Sequence, residues 1–257
     1  MITSVQNPRV KSVRALLAKR RARDQEGLFV IEGLHLAREA VAAGAAAQLV
    51  LYTEDIDARG RGLVNSLAKL GAETETVSPA VMAACSGTET PPGLVAVVRL
   101  PEIHPPSPLD LALVLDGVSD PGNLGTMLRT AMAAGVQLIV LTGASVDPLN
   151  PKVVRAAAGA HFHLPIQSVS AKDLPAVLEG LDLWLAEART GQPFTGVDWR
   201  PPCALIIGGE AHGPSDAIRA LPAQRVHIPT VRQSESLNAA VAAAVLLFEI
   251  LRQRGLP

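Results

Sequence analysis

The sequence has two cysteines, Cys85 and Cys203, and few aromatic residues: four Phe, two Trp and one Tyr in 257 positions. Two cysteines supply neither a disulfide framework nor a zinc site, and they suit a reducing cytoplasm. So few aromatics exclude a platform that stacks single-stranded bases. No apolar run reaches the roughly 18 uncharged residues that a membrane-spanning helix needs. The opening MITSVQNPRVK has no apolar core of the kind a secretory signal carries. Neither G-x-G-x-x-G nor a Walker-type Gly-Lys-Ser/Thr occurs, so the common phosphate loops are missing. The net charge of −1 gives no global signature for a polyanionic partner.

What is present is organised in two halves. PEIHPPSP, residues 101–108, reads as a linker, because its prolines deny it helix and central-strand hydrogen bonds. Before it, residues 1–100 alternate short strands (LFVIE, AQLVLYT, LVAVV) with helices that end near Gly44 and cover residues 63–70. After it, residues 109–257 alternate more strongly. ALVLDGV, QLIVLTG, DLWLAEA, CALIIGG and VHIPT are strands, and NLGTMLRTAMAAG and NPKVVRAAAGA are helices. Short, wholly apolar strands between helices indicate a parallel sheet covered on both faces, an α/β fold. Charge is clustered too: Arg9, Lys11, Arg14, Lys19, Arg20, Arg21 and Arg23 all precede the first acidic residue, Asp24. Such a run neutralises phosphates or forms a solvated helix face.

Three stretches of the second half carry chemistry-bearing residues. In LDGVSDPGNLGTMLRTA a turn joins a strand to a helix, with Asn123 at the helix entrance, a position Asn caps well, and Arg129 off the apolar stripe. In LIIGGEAHGPS the pair Gly208–Gly209 follows a parallel strand, where ligands bind in open α/β sheets and glycine lets them approach the backbone. In IPTVRQSESLNAAVAAAVLLFEIL a polar loop, with Ser234 or Ser236 available as a cap, opens a helix apolar on nearly every side from Leu237 to Leu251. A helix of that kind is buried all round, in part against a second subunit. His161, His163 and His212 have no carboxylate or cysteine at metal-ligand spacing, so no metal is expected.

Together, and in this order, DGVSDPGNLGTMLRTA, IIGGEAHGPS and IPTVRQSESLNAAVAAAVLLFE resemble the motifs of the SpoU (TrmH-like) branch of the SPOUT RNA methyltransferases. Residues 1–100 resemble the L30e-like substrate-binding domain of many members. The resemblance implies a trefoil-knotted α/β domain that works as a homodimer through its C-terminal part. It implies S-adenosylmethionine as cofactor and methyl transfer to a ribose 2′-hydroxyl, with ribosomal RNA (23S) as the first expectation. Transfer RNA, an antibiotic-resistance role and a non-catalytic RNA-binding protein on the same fold are the alternatives.

Carried over by position, the resemblance makes Asn123, Arg129, Ser236 and Asn238 the catalytic group. It places Thr142, Gly143, Gly208, Gly209, Glu210, Gly213, Ile228 and Leu237 at the cofactor. It implies that Lys152 and Arg155 face RNA. The basic run, Arg9, Lys11, Lys19, Arg20, Arg21 and Arg23, is assigned to RNA phosphates. Thr230, where Met is usual, and Arg232, where a small residue is common, depart from the family pattern.

Overall fold

The chain forms, in order, α1 (Pro8–Ala18), α2 (Arg20–Glu26), β1 (Leu28–Glu32), α3 (Gly33–Ala42), β2 (Ala47–Tyr52), α4 (Ala58–Lys69), β3 (Glu73–Thr76), α5 (Pro79–Ala84), β4 (Leu94–Arg99), β5 (Leu111–Asp116), α6 (Pro121–Ala133), β6 (Leu138–Thr142), α7 (Pro151–Ala157), β7 (Ile166–Ser168), α8 (Leu174–Val177), β8 (Asp182–Ala186), β9 (Gln192–Pro193), β10 (Cys203–Gly208), α9 (Asp216–Arg219), β11 (Gln224–His227) and α10 (Ala239–Arg254). The structure is a computed structural model and describes residues 1–231 and 237–255. Among the described residues no helix is long and apolar enough to cross a membrane.

Two compact units result. The first takes Met1–Glu102 together with Asp147–His163; the second takes Ile103–Val146 and the chain from Leu164 onward. The first break falls inside the Pro-rich linker, and α7, expected in the second domain, packs with the first unit. The cause is local chemistry. Val154 of α7 and Phe162 complete the apolar cluster formed by Phe29, Ile31, Leu36 and Leu67. Asp147 is 8% exposed and pairs with Arg23, which is 3% exposed. Arg23 Nε and Nη2 donate to Asp147 Oδ2 at 2.8 and 2.5 Å, and Nη1 donates to the Leu16 carbonyl at 2.5 Å.

The first unit has a four-stranded sheet in the order β1-β4-β2-β3. β4 runs antiparallel to both β1 and β2, and β3 is parallel to β2. β1 and β4 are buried on both faces, as their unbroken apolar runs require. One face packs on α3 and α4; the other buries Val10, Val13 and Leu16 of α1 with Val81 and Met82 of α5.

In the second unit seven strands in the order β7-β6-β5-β10-β8-β11-β9 are all parallel. β5 and β10, wholly apolar until their last residues, form its centre. Ala112, Val114, Ala204 and Ile206 face Leu174, Leu178 and Ile218 of the helical side. On the opposite side α10 packs against α6 and β10. Its C-terminal turn is pinned: Arg254 donates to Asp110 Oδ2 at 2.6 Å and to the Trp199 carbonyl at 2.8 Å. The knot that the resemblance implies would include residues 232–236, which lie outside the described residues.

Candidate functional site

Three strand ends converge on one cavity of about 670 Å³ in the second unit. Its wall comes from the loop after β8 (Glu187, Arg189, Thr190), from the loop after β10 (Gly208, Gly209, Glu210, Gly213, Pro214), and from the end of β11 and the start of α10 (Ile228, Thr230, Leu237, Asn238). Carboxyl ends of parallel strands form such crevices because the helices that follow turn away from the sheet edge there. The volume lies in the range of small-molecule and cofactor sites.

The glycines are required by close packing. A Cβ at Gly208 would lie 2.2 Å from the Pro214 nitrogen, and one at Gly209 would lie 2.2 Å from the Gly117 carbonyl oxygen. The chain folds back on itself here, with Gly213 N donating to Gly209 O at 2.9 Å. The double glycine therefore serves backbone-to-backbone approach first; the cavity wall it forms follows from that turn.

The same turn brings the three motifs together. Asn123 Nδ2 donates to Glu210 Oε1 at 2.6 Å, and Asn238 Nδ2 donates to Asn123 Oδ1 at 3.0 Å. Asn123 is free to do this because it does not cap its helix. α6 starts two residues earlier than the sequence suggested, with Pro121 in the first turn and Asp120 as cap, accepting from Asn123 N at 2.7 Å. Asn238, by contrast, does cap α10: its Oδ1 accepts from Ala240 N and Val241 N at 2.9 and 3.2 Å. Arg129, exposed on α6, makes no ion pair or hydrogen bond among the described residues. The Asn123 side chain is committed to Glu210 and Asn238. Ser236 lies outside the described residues, as do Ser234 and Arg232.

Of the residues assigned to a cofactor, Gly208, Gly209, Glu210, Gly213, Ile228 and Leu237 line the cavity, whereas Thr142 and Gly143 do not. Thr142 is 2% exposed, and its hydroxyl donates to Asp116 Oδ1 at 2.7 Å. Asp116 Oδ2 accepts from Ser215 N at 2.6 Å. This buried carboxylate, which sequence reasoning passed over, ties the ends of β5 and β6 to the loop after β10. An acidic residue closing the apolar run LALVLD was the signal available. Glu187 and Arg219 were passed over as well, and both line the cavity.

The basic residues separate into free and engaged. Lys11, Lys19, Arg21 and Lys152 are exposed, and their side chains have no ion-pair or hydrogen-bond partner among the described residues. Arg9 is held by Glu73, at 2.5 Å, and by Glu75. Arg20 pairs with Asp24 at 3.4 Å. Arg155 reaches the buried Glu32 at 3.1 Å, whose other acceptor positions are taken by Ser86 and Gly87. Arg23 is internal. Arg23 is thus buried and paired, Arg155 is paired with a buried carboxylate, and Arg9 has two carboxylates to compete with any phosphate.

No group of side chains among the described residues is arranged to hold a metal ion. His161 is fully buried, and burial pushes its imidazole down to about 4, so the ring is neutral near pH 7. Its Nε2 meets the Pro148 carbonyl at 2.7 Å. His163 does have a carboxylate neighbour, Glu39, at 3.5 Å. Burial pushes both cysteine thiols up to about 11, which leaves neither as a nucleophile.

Comparison with known proteins agrees with this geometry. Residues 7–96 match the MRM3-like substrate binding domain. The chain is 38% identical to an uncharacterized tRNA/rRNA methyltransferase of Synechocystis sp., over 98% of this chain and 94% of that one. It is 33% identical to the 23S rRNA (guanosine(2553)-2′-O)-methyltransferase RlmP of Bacillus subtilis, over 97% and 98% of the two chains. The crystal structure of the SpoU methyltransferase AviRb from Streptomyces viridochromogenes, in complex with the cofactor AdoMet, superposes with a TM-score of 0.88 at 30% identity, covering 97% of this chain and 98% of that one. Residues 110–248, more than half of the chain, match the SpoU rRNA Methylase family, and the protein belongs to that family.

Proposed function

We propose that this protein transfers a methyl group from S-adenosylmethionine to a ribose 2′-hydroxyl of large-subunit (23S) ribosomal RNA, and does so in the cytoplasm. The observation that carries the reading is the Glu210–Asn123–Asn238 hydrogen-bond chain, which joins all three motif segments beside one cavity. The wall suits an amphipathic, zwitterionic cofactor. Ile228, Leu237, Leu246 and the glycine backbone offer an apolar slot for a purine, while Glu187, Glu210, Arg189 and Arg219 offer charges of both signs. When bound, the cofactor supplies an electrophilic methyl group on sulfur.

The chain's own contribution is alignment and proton handling. Gly208, Gly209, Gly213, Ile228 and Leu237 hold the cofactor. Glu210, Asn123 and Asn238, with Ser236, fix the corner where the ribose enters. Alignment of a weak hydroxyl nucleophile is worth several kcal/mol. Arg129 grips the phosphate beside the target ribose and polarises the hydroxyl. The guanidinium stays protonated throughout, so the hydroxyl proton leaves to water.

The test is transfer of labelled methyl from the cofactor to ribosomal and transfer RNA, with the modified ribose mapped in cells that have or lack the gene. Label in 23S RNA is expected. Cofactor binding with no transfer to any RNA would leave a non-catalytic RNA-binding protein instead.

RNA phosphates meet the exposed cations Lys11, Lys19 and Arg21, with Lys152 on the same unit. Replacing Lys11, Lys19 and Arg21 by Gln is expected to flatten the dependence of log affinity on log salt by up to about 0.7 for each phosphate no longer neutralised. Binding titrations between low and moderate salt measure this, and an unchanged slope removes these residues from the interface.

The protein acts as a homodimer through α10. Val241 and Phe248 of that helix are each 50% exposed, and Leu237 is 40% exposed. An apolar face of this kind is expected to be covered by a second copy. Phe248→Glu is expected to convert the mass measured by light scattering from dimer to monomer; a wild-type monomer sinks the assignment.

A further inference from the structure

Two loops leave the ends of the neighbouring strands β8 and β10 and bound the cavity from two sides. Among the described residues a side-chain pair ties them together. The Glu187 carboxylate, at the end of β8, accepts from Arg219 Nη1 through Oε1 and from the Thr190 hydroxyl through Oε2. Arg219 closes α9, and its Nε donates to the Pro214 carbonyl at 3.2 Å. One guanidinium thus spans from a carboxylate on one wall to the backbone of the other. It also lies against the glycine turn, since a Cβ at Gly213 would come 3.2 Å from Arg219 Nη2. All five of these residues line the cavity. Arg189, in the middle of the first loop, is exposed and pairs with no carboxylate among the described residues; the loop's ends are held by Glu187 N donating to the Val226 carbonyl at 2.9 Å and by the Gly191 carbonyl meeting His227 Nδ1 at 3.1 Å, and its middle by the Glu187 carboxylate.

We propose that Glu187 and Arg219 are positioning residues that hold the two cavity walls at the separation the bound cofactor requires. The proposal rests on the reading that this cavity takes S-adenosylmethionine. The Glu187 side chain is 14% exposed and that of Arg219 is 45% exposed. With the guanidinium nearly half exposed, the pair adds little to global stability. Its effect falls on the order of the loop. A loop already held in its bound geometry need not be ordered when the ligand arrives, and the affinity is higher by that amount.

The experiment uses the full-length protein and two readouts. In the absence of cofactor, Glu187→Gln and Arg219→Ala are each expected to speed amide hydrogen exchange at residues 187–190 and tryptic cleavage after Arg189, with the melting temperature almost unmoved. In calorimetric titration with S-adenosylmethionine, each is expected to weaken binding about tenfold. The double variant is expected to be no weaker than either single one, because both remove the same link. Arg219→Lys, which keeps the charge on Glu187 but loses the planar reach to Pro214, is expected to fall between. Unchanged exchange in the cofactor-free variants, or single effects that add in the double variant, overturns the clamp. Wild-type protein that binds no S-adenosylmethionine overturns the functional reading, and the exchange measurement still decides the clamp.

Discussion

Arg129→Ala is expected to lower methyl transfer by about 10²–10⁴-fold, the range for losing a group that handles a reacting proton or its charge, while leaving the dissociation constant for S-adenosylmethionine within about twofold. The two halves of this expectation have separate origins. Arg129 is exposed on α6 and engages no other side chain among the described residues, so its removal leaves no buried partner behind and the fold is unaffected. It is not among the residues that line the cavity, so cofactor binding does not draw on it. What remains is the substrate side. Arg129→Lys keeps the charge but not the planar fork that grips a phosphate at two points, and it is expected to recover less than about a tenth of the original rate. Single-turnover transfer and cofactor titration on the same samples give both numbers. A variant that loses cofactor affinity along with rate moves Arg129 out of the catalytic group and into the pocket.

The largest expected effect on stability belongs to a residue that sequence alone groups with the RNA contacts. Arg23→Ala is expected to destabilise the first unit by about 3–5 kcal/mol, the cost of removing one member of a buried ion pair. The deletion strands Asp147, which is 8% exposed, and takes a donor from the Leu16 carbonyl. Asp147→Asn is expected to cost a comparable amount, and the two changes together less than their sum, because the second no longer leaves an unpaired charge. Arg21→Ala, two positions away and exposed, is expected to stay within about 0.5 kcal/mol. Urea unfolding followed by far-UV circular dichroism measures all four. An Arg23→Ala protein as stable as Arg21→Ala would mean that the guanidinium is solvated after all.

These two arginines, Arg129 and Arg23, show what a sequence discloses and what it withholds. Arg129 is legible because it stands in a motif whose neighbours carry the resemblance, DPGNLGTMLRTA. Arg23 sits in a run of cations, and nothing local distinguishes it from Arg21. Its burial is decided by Asp147, 124 residues further along. The same contrast runs through the fold. β1, β4, β5, β6 and β10 are continuous apolar runs, and their existence follows from that pattern. β3 is Glu-Thr-Glu-Thr on a sheet edge, stabilised by pairing with β2, and has no apolar signal to find. Strand order is likewise silent in periodicity: that β10 enters between β5 and β8 is set by tertiary packing. In the site, Asn123, Glu210 and Asn238 are legible by motif. Asp116, Glu187 and Arg219 work through bonds that span 26 to 99 residues for Asp116 and 32 for the pair, beyond the reach of any local rule.

The first unit is assembled from two separate stretches, Met1–Glu102 and Asp147–His163. A chimaera that exchanges only the leading hundred or so residues for those of a relative inherits a foreign Arg23 and Glu32 environment opposite an unchanged Asp147 and Arg155. Retargeting such an enzyme to another RNA by grafting its front end is therefore a two-piece operation. The second insert is short, sits in mid-chain, and must be exchanged with its own charge partners.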